Sequence, residues 1–65
     1  MKNRAKLLCL TNNILYVEDY AKKIGVSVEM AQLILEEKVV IPQDIILRNC
    51  EVFNVSVDYF LCLVW

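Results

Sequence analysis

Gly25 is the only glycine in this 65-residue chain and Pro42 the only proline, so the backbone has few places where it can turn sharply. Glycine takes a left-handed conformation at no steric cost and commonly ends helices in it. Gly25 is followed by Val26 and Ser27, and a serine there can accept a hydrogen bond from the first free N–H groups of the next helix. A second signal of this kind lies at Asn54-Val55-Ser56, ahead of Val57-Asp58-Tyr59. Both read as the end of one helix, a turn and the start of another. With no Gly- or Pro-rich stretch there is no linker and no low-complexity tract, and 1–65 is expected to form a single domain.

The helical pattern is clearest before Gly25. Val17, Tyr20, Ala21 and Ile24 fall at i, i+3, i+4 and i+7, while Glu18/Lys22 and Asp19/Lys23 are spaced to pair on the outer face. A first helix is expected from Lys2 to about Leu10, burying Ala5, Leu8 and Cys9, with Asn12-Asn13 breaking it. After Ser27 a third helix is expected from Val28 to about Glu37, with Ala31, Ile34 and Leu35 directed inward and Met30 and Leu33 outward. Pro42 fits the first turn of a fourth helix, where its missing N–H costs nothing. That helix buries Ile46, Cys50 and Phe53 and spaces Asp44 to pair with Arg48; Asn54 closes it, and Ser56 caps a short fifth. Short helices joined by short turns leave little scope for a sheet. The expected class is all-α, a compact five-helix domain.

The chain is greasy for its size, at 58% hydrophobic residues with a mean hydropathy of +0.48. A domain of this length buries only about 60% of its unfolded surface, so part of that excess is expected at a partner interface. The uncharged end makes Leu61, Leu63, Val64 and Trp65 the candidate contacts of a homodimer, the alternative being that they fold back over Ala5 and Leu8. No apolar run approaches the roughly 20 residues of a membrane span. Leu7 to Leu10, behind Lys2, Arg4 and Lys6, is too short for a signal peptide, so a cytoplasmic location with no membrane partner is expected. Cys9, Cys50 and Cys62 lack metal-ligand spacing and the chain has no His, so three reduced, buried thiols are expected, with no metal and no cofactor. Without a Gly-rich phosphate loop or a nucleophile beside a base, neither an enzyme nor a small-molecule substrate is expected.

From about Leu15 to Leu61 the chain resembles the Cro and phage-repressor family of helix-turn-helix regulators, the xenobiotic response element type. The residues that carry the resemblance are Ala21, Gly25-Val26-Ser27, Ile34, Pro42 and the run Phe53-Asn54-Val55-Ser56-Val57-Asp58-Tyr59-Phe60-Leu61, which is the most specific part. The resemblance implies a lambda-repressor-like fold with its helix-turn-helix at about 17–37, the second helix crossing the DNA backbone and the third lying in the major groove. It also implies transcription regulation in a phage, prophage or bacterial setting, by a homodimer on double-stranded operator DNA. At the positions where such domains contact DNA this chain carries Tyr16, Val17, Val28, Glu29, Met30, Gln32 and Leu33.

Two functional readings fit these residues. As a DNA reader, Gln32 suits a bidentate contact to adenine and Glu29 can accept from cytosine. Lys38, Arg4 and Lys6 are then the candidate phosphate contacts, with Asn12 and Asn13 adding neutral hydrogen bonds. The net charge of −1 and the pI near 5.2 lie on the wrong side of neutral for that task. As a protein-binding module, Val28, Met30 and Leu33 make an apolar patch rimmed by Glu36 and Glu37. Acids in a last helical turn oppose the helix dipole, so helix stability does not explain those two. In this reading the chain is a helix-turn-helix protein that has lost DNA binding and acts as an antirepressor or as the partner of another regulator.

Overall fold

A computed structural model describes residues 1–64. The candidate dimer contact Trp65 lies outside the described residues. Five helices follow one another without a strand among the described residues: α1 (Ala5–Thr11), α2 (Val17–Ile24), α3 (Val28–Leu35), α4 (Gln43–Phe53) and α5 (Val57–Phe60). They pack into a body measuring 27 × 24 × 18 Å.

The punctuation works as its chemistry implies. Gly25 ends α2 at φ 71°, in the left-handed region, and Val26 N–H then reaches back to Ala21 C=O at 3.1 Å. Ser27 Oγ accepts from Met30 N–H at 3.1 Å, and Ser56 Oγ accepts from Tyr59 N–H at 3.1 Å. Asn54 ends α4 at φ 55°, a conformation that asparagine tolerates better than most residues. Pro42 stands one residue ahead of α4, its C=O accepting from Ile45 and Ile46 N–H at 3.0 Å.

Two helix ends differ from expectation, each for a local reason. Asn3 Oδ1 accepts from Ala5 N–H at 2.9 Å, which starts α1 at Ala5 rather than Lys2. Glu37 adopts φ 61° and Lys38 N–H closes on Leu33 C=O at 3.0 Å, so α3 stops at Leu35, two residues early. Glu36 and Glu37 therefore follow the last helical turn.

All five helices feed one core: Ala5, Leu8 and Cys9 from α1, Tyr20, Ala21 and Ile24 from α2, Ala31 and Ile34 from α3, Ile45, Ile46 and Cys50 from α4, and Phe60 from α5. Ile24 and Ile34 are almost fully enclosed, each burial being worth roughly 2 kcal/mol. Met30 corrects the expected facing, since it is half-buried and packs on this core. It precedes Ile34 by four residues and so shares that residue's face. Leu61 also packs on the core, whereas Leu63 and Val64 are exposed. The thiols divide as well: Cys9 and Cys50 are buried, but Cys62 is half-buried at φ 64° on the turn after α5. Neither Glu18/Lys22 nor Asp19/Lys23 forms an ion pair, the closed pairs among the described residues being Lys38/Glu36 and Arg48/Asp44.

Candidate nucleic-acid interface

The region that the sequence marks for binding is α2, the turn Gly25-Val26-Ser27, and α3. Ala31 and Ile34 anchor α3 from below with no solvent exposure, which fixes the opposite face outward. That face presents Val28, Glu29, Gln32 and Leu33, all exposed.

The turn is held from α4. Arg48 Nη1 donates to Ile24 C=O at 3.3 Å and to Gly25 C=O at 3.4 Å, while Nη2 stands 4.0 Å from Asp44 Oδ2. A guanidinium at the last carbonyls of α2 complements the negative end of its dipole. A side chain on residue 25 would meet it, since an added Cβ would lie 3.2 Å from Arg48 Nη1. Sequence reasoning paired Arg48 with Asp44 and missed the turn, because the contact joins residues far apart in the chain.

At its far end α3 carries a polar chain. Gln32 Nε2 donates to Glu36 Oε2 at 2.7 Å, and Lys38 Nζ lies 3.4 Å from Glu36 Oε1. These donors, Gln32 first and Lys38 next, hold the Glu36 carboxyl below the usual carboxylate range. Glu29 and Glu37 are exposed nearby in sequence. The charged residues within 28–37 are Glu29, Glu36 and Glu37, so the face is acidic up to Lys38.

The other candidate contacts lie on α1 and its flanks. Arg4 is turned onto the end of the chain: its N–H donates to Phe60 C=O at 2.8 Å, its guanidinium donates to Tyr59 C=O, and it covers the Tyr59 ring at 4.3 Å from the centroid. Lys6 is exposed on α1. Asn12 Nδ2 donates to Leu8 C=O at 2.7 Å and so completes the end of α1, while Asn13 takes φ 59° in the following turn. Gln32, Glu29 and Lys38 thus share one helix and its end, whereas Lys6 lies on α1, Asn12 and Asn13 lie at its end, and Arg4 is committed to Tyr59 and Phe60.

One surface was only partly legible in the sequence. Leu10, Leu15 and Tyr16 are 59%, 72% and 67% exposed and, with Lys6, Val17 and Leu35, line an apolar groove of about 180 Å³ between α1 and the start of α2. Tyr16 stands at a position where the resembled family contacts DNA, but Leu10 and Leu15 carry no signal beyond falling outside the buried stripes. Among the described residues no cluster of His, Cys, Asp and Glu is arranged to hold a metal ion, and no helix is long and apolar enough to cross a membrane. Comparison of the chain with protein-family models, with curated proteins and with solved structures returns no match.

Proposed function

We propose that this chain is a small helix-turn-helix transcriptional regulator of the Cro and repressor type, acting on operator DNA as a homodimer and by binding rather than catalysis. The observation that carries the reading is the α2–turn–α3 unit, with Gly25 left-handed, Ser27 capping α3, and the outer face of α3 free of the core. A helix so presented fits the major groove, where Gln32 is the side chain able to read adenine. The exposed Leu63 and Val64 supply apolar surface for a second copy.

A second reading has its own support. Val28 and Leu33 are exposed on a face whose charges are Glu29, Glu36 and Glu37. An apolar patch with an acidic rim suits a basic protein surface better than phosphates, and the chain would then act as an antirepressor or regulator partner. Selection from a pool of random duplexes at low salt separates the two. The operator reading expects enrichment of a two-fold site with half-sites about 34–36 Å apart and affinity that falls steeply with salt. A chain that enriches no duplex and captures a protein partner through Leu33 supports the second reading.

A further inference from the structure

Gln32 and Lys38 are the groups on α3 and its end that can donate to DNA, and both are bonded to the same carboxylate. The arrangement is built by the backbone. Gln32 and Glu36 stand four residues apart, the spacing at which helical side chains face each other. Glu37 then turns left-handed at φ 61°, which reverses the chain and brings Lys38 back to 3.4 Å from Glu36. A bidentate contact to adenine needs the oxygen and one N–H of a carboxamide turned together toward the base, and one of the two Gln32 N–H groups is tied to Glu36 at 2.7 Å, which sets the direction in which the amide faces. The Lys38 ammonium is paired with the same acid, 3.4 Å away.

Resting on the reading of α3 as the DNA-facing helix, we infer that Glu36 is an intramolecular competitor for DNA: it holds Gln32 and Lys38 in a polar chain whose geometry favours the carboxylate over a base or a phosphate. Glu36 thereby sets the affinity and the sequence selectivity of the surface without touching DNA itself.

Replacing Glu36 removes the competitor at an exposed position outside the helix interior. Glu36→Ala is expected to tighten duplex binding about three- to tenfold and to steepen the log–log salt slope by about 0.9 for each further phosphate that the chain neutralises. Most of the gain is expected to be lost in a Gln32→Ala/Lys38→Ala background, where only the smaller, salt-screened effect of removing a negative charge remains. In the parent chain without DNA, the Gln32 side-chain amide resonances are expected to move as Glu36 is protonated. A gain that persists in full in the double-alanine background, or amide resonances that stay fixed through the titration, overturns the inference. Parental binding that Glu36→Ala leaves unchanged sinks the competitor alone. No duplex binding by either the parent or Glu36→Ala sinks the operator reading and the competitor with it.

Discussion

The Tyr20 hydroxyl donates to Asn49 Oδ1 at 2.5 Å in the middle of the core, where neither side chain meets solvent. Asn49 Nδ2 in turn donates to Ile45 C=O at 2.8 Å. No buried side-chain nitrogen or oxygen among the described residues is left without a partner. The Tyr20 ring also stacks on Phe53, with centroids 6.3 Å apart. One hydrogen bond therefore pins α2 to α4 at a defined register, and α2 carries the turn that presents α3.

Removing one partner of that bond is worse than removing both. Asn49→Ala should destabilise the fold by about 2–3 kcal/mol, since it leaves a buried hydroxyl unpaired as well as losing the bond. Combining Tyr20→Phe with Asn49→Leu should recover much of that loss. Guanidinium unfolding of the two variants measures it, and a double variant no more stable than Asn49→Ala would show that packing rather than the hydrogen bond governs the site.

Arg4 binds the two ends of the chain together, so Arg4→Ala should cost about 1–3 kcal/mol through the lost carbonyl bond and the lost contact with the Tyr59 ring. Arg4→Lys should restore only part of it, because an ammonium lacks the planar fork. The salt dependence of any DNA binding should be unaltered. A variant of full stability whose salt slope falls by about 0.9 would return Arg4 to the phosphate contacts.

Met30 and Leu33 should part company under the same substitution. Met30→Lys forces a charge against the core and is expected to lower stability by about 1–2 kcal/mol, whereas Leu33→Lys at an exposed position should stay within about 0.5 kcal/mol. Thermal unfolding of the pair reads the difference directly; equal losses would place Leu33 inside as well.

Stability should decline on the alkaline side. Burial pushes the Cys9 thiol up from 9.0 to about 11, and burial first, then the nearby Cys9, pushes the Tyr20 hydroxyl up as well. Between about pH 9 and pH 11 the unfolded chain has released the Cys9 proton and the folded chain has not. The folded state then binds more protons, so this contribution is complete below about pH 9 and is lost as pH rises to about 11. The size is on the order of 2 kcal/mol. Denaturant midpoints at about pH 8 and pH 10.5 should differ in the parent and differ less in Cys9→Ala; the same fall in both would assign it to other groups.

The parts of this fold that depend on a few consecutive residues are legible in the sequence. Gly25, Ser27, Asn54 and Ser56 mark helix ends because a left-handed turn and a side-chain cap act within three residues. The stripe Tyr20, Ala21 and Ile24 declares its buried face because helical geometry places those positions together. Gln32, Glu29 and Lys38 could likewise be placed on one helix and its end. Helix limits were less secure, as Asn3 at α1 and Glu37 at α3 show, since each is set by which hydrogen bond wins a local competition.

The tertiary structure alone decided the rest, where contacts join residues far apart or where the approach of a neighbour matters more than spacing. Periodicity is silent on Arg48 over the Gly25 turn, Arg4 on Tyr59 and Tyr20 on Asn49, because those pairs span 23, 55 and 29 residues. It counted Met30 as outward because the shoulder of a helix is buried or open according to what packs beside it. It offered Gln32, Glu36 and Lys38 as separate candidates; only the left-handed turn at Glu37 brings the lysine back to the acid that already holds the glutamine.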